Sequence, residues 1–168
     1  QRRVLIIVGN PGVGKSITSK MLVLYYASLG YRVRYTTDGS DLAALKKSLS
    51  QSPDAKEIIL LDDCFGQAYF SMKETQENEL LSLIRHVNIY PNKVLIMNSR
   101  VTIFQEAQAR TPTLIKSLDR NEYGAYVLNI DNISFVEKAR IFYNHLFFIM
   151  FRSYIVKMLF VIKTIGKL

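Results

Sequence analysis

The sequence predicts an α/β fold in which helices cover both faces of a mostly parallel, five-stranded sheet. Short aliphatic segments alternate with helical segments about four times along the chain, and this repetition is typical of parallel sheets with helical crossovers. The aliphatic segments are continuous rather than alternating, as expected for strands buried on both faces. With 168 residues, of which 49% are hydrophobic and 21% charged, the chain can form a folded domain with a substantial core.

Two strand–helix units open the chain. "RVLIIV" at 3–8 is the first strand, and the helix predicted at 15–29 ends at Gly30. "YRVRYTT" at 31–37 is the second strand, and Asp41 is the expected N-cap of a short helix after it. Apolar residues recur at helical spacing in the first helix: Ile17, Met21, Leu22, Leu24, Tyr25 and Leu29.

Three further strands are predicted from aliphatic segments. They are "EIILL" at 57–61, "KVLIMN" at 93–98 and "YVLNI" at 126–130. A helix is predicted at 75–88, and another begins within "SRVTIFQEAQAR". The first of these helices carries one apolar side, formed by Leu80, Leu81, Ile84 and Val87.

The C-terminal segment differs in charge from the rest of the chain. Of the net charge of +8, residues 137–168 contribute +5, from six Lys and Arg against one Glu. Residues 146–162 are mostly apolar, but Arg152 and Lys157 interrupt them. No uncharged stretch approaches the ~20 residues that a membrane span needs. We therefore expect amphipathic or buried helices here, and no membrane association.

Two regions are expected in the chain. A first domain is predicted at 1–132, and the start of an incomplete helical subdomain at 133–168, where Ser134 and Glu137 have the spacing of a capping box. Because the first strand begins almost at once after Gln1, we expect a fragment of a longer protein.

A glycine-rich motif links the first strand to the first helix. Gly9 to Ser16 read "GNPGVGKS" and match the pattern G-x-x-x-x-G-K-[ST] in the required context, between a buried strand and a helix. A chance glycine-rich turn is the alternative, but it does not explain the Lys-Ser that follows. The motif predicts a P-loop NTPase with the strand order 5-1-4-3-2.

The chemistry of phosphate binding explains these residues. Glycines let successive backbone N–H groups surround a triphosphate, and the start of the helix adds a positive field. Lys15 is expected to reach the β- and γ-phosphates, and the Ser16 hydroxyl to ligate Mg²⁺. The predicted nucleotide-binding residues are Asn10, Pro11, Gly12, Val13, Gly14, Lys15, Ser16 and Ile17.

Two acidic residues follow the third strand. Asp62 and Asp63 come directly after "EIILL", at the edge of the sheet where such folds bind ligands. Asp62 is predicted to hold Mg²⁺, as Walker-B aspartates do. Asp63 is predicted to orient or polarise the attacking water, which requires a carboxylate at that place. A solvated turn with two acids is the alternative.

The fourth strand ends in "NSR". In the order 5-1-4-3-2 its end points at the γ-phosphate, so a polar residue there can sense the phosphate and Arg100 can pair with it. The alternative is a surface arginine at a strand end. The catalytic residues predicted are therefore Asp63, Lys15 and Arg100.

Other reactive residues have weaker patterns. His86 and His145 lie in predicted helices without an acid or cysteine at metal-ligand spacing, so we interpret both as structural. Cys64 is the one cysteine, which excludes an internal disulfide and favours a small core residue. A lone cysteine also fits a reducing compartment, and we expect a cytoplasmic protein.

These motifs together resemble the STAND class of P-loop NTPases, and within it the novel STAND NTPase 3 family. The matching segments span most of residues 4–148: "GNPGVGKSITSKMLVLYY", "LLDDCFGQAYF" with "ELLSLIRHV", "KVLIMNSR" and "EKARIFYNHLFF". The strand-four ending "MNSR" differs from the Thr-rich "TTR" or "TSR" that is usual. After Leu146 the similarity fades, and the Gly-x-Pro signature of the helical subdomain in related STAND proteins is not seen there.

The resemblance implies an ATP-dependent switch with slow, Mg²⁺-dependent hydrolysis rather than a metabolic enzyme. It implies nucleotide binding by Gly12, Gly14, Lys15 and Ser16, with Asp62 on Mg²⁺ and Arg100 as the sensor. It also implies self-oligomerisation on activation and flanking effector and sensor domains, often in bacterial defence against phage. Nucleic acid is expected only through a fused effector.

Three other functions are compatible with a phosphate loop. A small-molecule kinase would need an acceptor site and an arginine-rich lid, whereas the two acids on strand three better suit activation of water. A DNA-stimulated ATPase or helicase loader would need a basic body, and residues 1–136 carry only +3. A degenerate module that binds nothing would not need Lys15, Ser16 and Asp62 together.

Overall fold

The computed structural model describes residues 3–37, 41–118, 124–132, 134, 136–137 and 140. The chain divides into two compact units, Gln1–Asp131 and Asn132–Leu168. In the described part of the chain, no helix combines the length and apolar character needed to cross a bilayer.

The first unit alternates strands and helices. Its strands are β1 (Val4–Gly9), β2 (Arg32–Thr37), β3 (Glu57–Asp62), β4 (Lys93–Arg100) and β5 (Tyr126–Asn129). Its helices are α1 (Lys15–Ser28), α2 (Leu42–Ser48), α3 (Glu74–Ile89), α4 (Val101–Arg110) and α5 (Pro112–Leu118), and a 3₁₀ turn at Ile130–Asn132 follows β5. The predicted strands and helices are confirmed to within about two residues at their ends.

All five strands are parallel, in the order β2-β3-β4-β1-β5. The predicted order 5-1-4-3-2 is therefore confirmed. β1 lies between two strands, with β4 on one side and β5 on the other. Because every strand runs the same way, all five carboxyl ends meet at one edge of the sheet.

The two faces of the sheet are covered differently. Successive strand residues point to opposite faces, and one face packs with α2, α3, α4 and α5 in a single apolar cluster. The strand residues in that cluster are Val4, Ile6, Val8, Ile59, Leu61, Leu95 and Met97. The opposite face buries Ile7, Ile58, Leu60 and Ile96. It contacts α1, whose Ser19 bonds to Asn98 on that face.

The helix α1 buries a mixed polar face rather than its apolar stripe. Its buried residues are Lys15, Ser19 and Val23, which are four positions apart and so lie on one side. The predicted periodic residues are largely exposed, as shown by Ile17 (62%) and Leu24 (69%). The apolar spacing therefore does not mark the buried side of this helix, because the phosphate-loop lysine and a small serine face the sheet.

Two features extend beyond the predicted elements. β4 continues through Asn98, Ser99 and Arg100, because Val8 and Gly9 of β1 pair with its last two residues. The helix α5 was not predicted. Its proline is the first helical residue, where a missing N–H costs nothing, and Leu114 and Leu118 are buried.

A buried ion pair lies at the amino edge of the sheet. Lys93, at the start of β4, donates to Oε2 of Glu57 at 2.6 Å and to the carbonyl oxygen of Ala55 at 2.8 Å. Arg34 donates to the other oxygen of Glu57 at 3.3 Å. Glu57 and Lys93 are almost fully buried. Burial would raise the pKa of Glu57, but its hydrogen bonds, led by that from Lys93, hold the pKa below its usual value.

The second unit is described at few positions. The Ser134 N–H and hydroxyl both donate to Oε2 of Glu137, at 2.9 and 2.6 Å. The Glu137 N–H donates back to the Ser134 hydroxyl at 3.3 Å. The predicted capping box is therefore confirmed. The basic, apolar segment at 146–162 lies outside the described residues, as does most of the subdomain predicted at 133–168.

Candidate functional site

The glycine-rich loop between β1 and α1 is shaped by three glycines for two different reasons. Gly12 and Gly14 have φ of +82° and +98°, in the left-handed region that side chains disfavour. At Gly9 the reason is space, because a Cβ would lie 2.9 Å from side-chain atoms of Ile130 and Val13. The loop therefore needs glycine at each of these motif positions.

A carboxylate that follows the neighbouring strand β5 holds Asn10, the first residue of the loop after β1. The Asn10 N–H donates to both carboxylate oxygens of Asp131, each at 3.0 Å. Asp131 follows β5, which lies beside β1. This contact fixes the point where the chain leaves β1 and turns into the loop.

The lysine of the motif lies across this loop. Lys15 is buried (8% exposed), and its Nζ donates to the carbonyl oxygen of Asn10 at 2.8 Å. Burial lowers the pKa of Lys15, the carboxylate of Asp63 acts against this, and Arg100 adds to the lowering. A buried ammonium whose bonding partner here is a neutral carbonyl is well suited to bind an incoming anion.

A hydroxyl and a carboxylate that could both ligate a metal ion lie together beside the start of α1. The Ser16 hydroxyl donates to Oδ1 of Asp62 at 3.3 Å, which joins the glycine-rich motif to the end of β3. Tyr35 of β2 donates from its hydroxyl to Oδ2 of the same carboxylate, also at 3.3 Å. Hydroxyl and carboxylate oxygens are the ligands that Mg²⁺ uses in proteins, together with phosphate oxygens and water. The pair Ser16 and Asp62 therefore fits Mg²⁺.

The second acidic residue is held in an unusual backbone conformation. Asp63 has φ of +51°, which few residues other than glycine adopt. Its N–H donates to Oδ1 of Asn98 at 2.8 Å, so a buried amide of β4 fixes this conformation. Burial raises the pKa of Asp63, as does repulsion from Asp62, while Arg100 and Lys15 oppose the rise. A raised pKa makes a carboxylate a better proton acceptor.

Arg100 is the last residue of β4 and is half-buried. In the register of the sheet it lies opposite Gly9, at the start of the glycine-rich loop. Within the described residues its guanidinium makes no ion pair. Its positive charge adds to the lowering of the pKa of Lys15 by burial, and it opposes the rise in the pKa of Asp63 that burial causes.

The structure brings together the four charged residues of the predicted site and Ser16. Lys15, Ser16, Asp62, Asp63 and Arg100 lie at the carboxyl edge of the sheet, around the glycine-rich loop. Of the other predicted nucleotide-binding residues, Asn10, Pro11, Gly12 and Val13 are exposed in the loop, and Gly14 is half-buried. The side chain of Ile17 is exposed on the first turn of α1.

The side chain of Asn98 was predicted to face the γ-phosphate, but it is buried between β3 and α1. Besides binding the Asp63 N–H, its amide donates to the Ser19 hydroxyl of α1 at 3.2 Å. It is fully buried. Its side chain therefore holds β3 and α1 in place rather than facing a phosphate.

Sequence reasoning missed Tyr35 and Asp131 as members of the site. The signal for Tyr35 was available in the strand order, because β2 lies beside β3 and Thr37 pairs with Asp62. Tyr35 is two residues before Thr37, and so shares the face of Asp62. The signal for Asp131 was its place just after the strand that pairs with β1.

The remaining candidates lie elsewhere in the first unit. Cys64 is buried in the main apolar cluster, which confirms the prediction of a small core residue, and burial raises the pKa of its thiol. The ring of His86 lies 4.6 Å from that of Tyr90. Burial, followed by the charge of Lys93, lowers the pKa of His86. His145 lies outside the described residues.

Two solved structures are similar to this chain in fold. One is described as the crystal structure of the DnaC helicase loader, with 18% identity and a TM-score of 0.50 over 76% of this chain and 77% of that one. The other is a DNA replication initiation factor, with 18% identity and a TM-score of 0.57 over 86% of this chain and 44% of that one. This chain thus spans less than half of the initiation factor. At this identity the similarity shows the fold alone.

Sequence comparison is more specific. No curated protein is similar enough in sequence to match this chain. The family model described as novel STAND NTPase 3 matches residues 1–148, which include every element and every site residue described above. The chain belongs to the novel STAND NTPase 3 family of P-loop NTPases.

Proposed function

We propose that this chain is an ATP-binding switch module that hydrolyses ATP slowly with Mg²⁺. The observation that carries the proposal is the contact between Ser16 and Asp62 at 3.3 Å, beside a buried Lys15 that bridges the glycine-rich loop. In this arrangement a phosphate-binding loop and a metal-binding carboxylate adjoin each other, as binding of a metal-bound triphosphate requires.

Each residue has a distinct task in this proposal. The loop N–H groups and the ammonium of Lys15 bind the phosphate oxygens, and Ser16 and Asp62 hold Mg²⁺. The metal, when bound, would neutralise charge that develops on the phosphates. Asp63 orients the attacking water and accepts its proton. Arg100 pairs with the terminal phosphate and distinguishes a triphosphate from a diphosphate.

Slow turnover follows from the number of groups available to stabilise the transition state. Many P-loop NTPases use an additional arginine from a partner or neighbouring domain, which raises turnover by a factor of about 10³–10⁵. In this chain Arg100 is the one arginine that the described residues place beside the loop. We therefore infer that full activity needs self-assembly or a flanking domain.

The biological setting is part of the same proposal. The family membership supports a signalling switch that works with effector and sensor domains, as in bacterial defence against phage. The single, buried cysteine supports a reducing, cytoplasmic location. Contact with nucleic acid is assigned to a fused effector, because residues 1–136 carry only +3 of the net charge.

A kinase is the main alternative, and the fate of the γ-phosphate distinguishes the two. Two carboxylates, Asp62 and Asp63, lie at the end of β3, which favours water as the acceptor. With γ-labelled ATP we expect the label to appear as free phosphate. Transfer of label to an added acceptor would favour the kinase, and a large, salt-sensitive stimulation by DNA would favour a DNA-dependent ATPase.

The binding step is tested by thermal stabilisation with Mg²⁺ and ATP. Ligand that binds only the folded state raises the melting temperature, so we expect a rise for the wild-type chain and none for Lys15→Ala. Lys20→Ala is the matched control, because Lys20 is exposed on the same helix. Stabilisation of Lys15→Ala equal to that of the control would contradict the assigned phosphate loop.

A further inference from the structure

Tyr35 is the one side chain of β2 that reaches the carboxylate assigned to the metal. Its hydroxyl donates to Oδ2 of Asp62 at 3.3 Å, while Oδ1 of the same carboxylate accepts from Ser16 at 3.3 Å. The two oxygens of Asp62 are thus held by donors from two different elements, β2 and α1. Neither donor is a neighbour of Asp62 in sequence.

The position of Tyr35 is set by the sheet. It pairs with Leu60 in the β2–β3 register, and Asp62 is two residues further along β3. Residues two apart on a strand share a face, so the phenol points along β3 towards the carboxylate. The aromatic ring has few rotamers, so a hydroxyl carried on it is held more firmly than one on a long, flexible side chain.

Packing alone does not account for this contact. Tyr35 is 50% exposed, on a strand at the edge of the sheet. A hydroxyl at such a position can be hydrated by solvent at little cost, so burial does not force it to bond to Asp62. We therefore expect the hydroxyl to contribute little to folding stability, and its contact with the carboxylate calls for another explanation.

The two donors to Asp62 differ in what a metal would require of them. Ser16 is itself assigned as a metal ligand, so its oxygen serves both the metal and Asp62. Tyr35 bonds to the other carboxylate oxygen of Asp62, Oδ2, which does not accept from Ser16. Hydrogen bonds of this kind orient a ligating carboxylate, whose terminal torsion is otherwise broad.

We propose that Tyr35 is a positioning residue that orients the Asp62 carboxylate for Mg²⁺. This inference rests on the proposed function, since it assigns the metal to the same site. Tyr35 does not touch the nucleotide in this proposal. It acts through Asp62, so its loss weakens the contribution of Mg²⁺ to nucleotide binding and leaves metal-free binding of nucleotide unchanged.

The test measures the dissociation constant of ATP twice, once in EDTA and once in saturating Mg²⁺. The constant in EDTA divided by the constant in Mg²⁺ gives the ratio by which the metal strengthens binding. Tyr35→Phe removes only the hydroxyl. We expect this ratio to fall about three- to tenfold in Tyr35→Phe, which is the range for the net contribution of one typical hydrogen bond. The affinity in EDTA should stay within about twofold of wild type, since no phosphate contact is lost.

Tyr25→Phe is the matched control, because Tyr25 is an exposed tyrosine on α1, and its ratio should equal that of wild type. A Tyr35→Phe ratio equal to the wild-type ratio would overturn the proposal. Equal losses of affinity with and without Mg²⁺ would also overturn it, because they indicate a general structural role. If wild-type protein binds ATP without any benefit from Mg²⁺, the proposed metal site itself is wrong, and this outcome is visible before any variant is measured.

Discussion

The two edges of the sheet differ in whether a buried lysine forms an ion pair. At the amino edge, Glu57 and Lys93 are almost fully buried and form an ion pair at 2.6 Å. At the carboxyl edge, Lys15 is also buried, but its Nζ bonds to a carbonyl oxygen rather than to a carboxylate. At the amino edge the two charges are paired with each other, whereas Lys15 forms no ion pair among the described residues and its ammonium is available to a ligand.

The difference has an energetic basis. A buried charge is costly unless it is paired and hydrogen-bonded, and at the amino edge both oxygens of Glu57 accept hydrogen bonds. At the carboxyl edge the raised pKa of Asp63 and the lowered pKa of Lys15 show that their charged forms are disfavoured there. A bound nucleotide with its metal would supply the missing countercharges.

The largest effect on stability is expected at the amino edge. Lys93→Met should lower the free energy of unfolding by about 3–5 kcal/mol, because it leaves Glu57 as a buried charge with a weaker partner. Chemical denaturation measures the change. The control is Lys47→Met on α2, where the lysine is exposed and a loss within about 0.5 kcal/mol is expected. Equal stability of the two variants would remove the contrast between the edges.

The carboxyl edge should show a large effect on turnover without a loss of stability. Asp63→Asn should slow ATP hydrolysis by a factor of about 10²–10⁴, the usual contribution of a general base, while ATP binding is retained. Its free energy of unfolding should equal or slightly exceed that of wild type, because repulsion between Asp63 and Asp62 is relieved. Single-turnover kinetics and denaturation measure the two quantities. Wild-type turnover in this variant would exclude the role given to Asp63.

Acid should weaken the amino edge specifically. The pKa of Glu57 lies below its usual 4.5 in the folded chain, so its stabilising contribution is complete above that value and is lost as the pH falls through the folded pKa. Glu57→Gln should therefore flatten the decline in the free energy of unfolding below pH 4.5. Denaturation curves between pH 7 and pH 3 measure it, and slopes identical to those of wild type would refute the assignment.

The smallest effect is expected on the outer side of α1. Leu24 is 69% exposed, so Leu24→Ser should change the free energy of unfolding by less than about 0.5 kcal/mol, apart from a slight loss of helix propensity. Val23→Ser, one residue earlier but on the buried side, is the paired comparison and should cost clearly more. If Leu24→Ser cost as much as Val23→Ser, α1 would be packed on both sides.

Local patterns in the sequence predicted most of the fold. Five aliphatic segments marked five strands, and the glycine-rich motif fixed the first helix at Lys15. The sheet order was taken from the P-loop NTPase fold that the motif indicates, and no local pattern in the strands determined it. The exposed apolar stripe of α1 was not foreseen, because helical periodicity identifies a stripe without stating which side meets the sheet. The short helix α5 depends on burial of Leu114 and Leu118, which is a tertiary effect.

The candidate site could be predicted only in part, for a similar reason. Short motifs in the sequence indicate the roles of Lys15, Ser16, Asp62 and Asp63. The contacts of Tyr35 with Asp62 and of Asn98 with Asp63 join residues far apart in sequence. They depend on strand register, which hydrogen-bond pairing between whole strands determines.

The pairing of β1 also governs the order in which the protein can mature. Leu5 lies between Ile96 on one neighbouring strand and Tyr126 on the other, so β1 has no partner strand until β4 has been synthesised. Contacts between such distant segments form slowly, and domains emerge N-terminal end first. The phosphate loop is therefore translated before β4 and β5, and it acquires its working shape only after these strands have paired with β1.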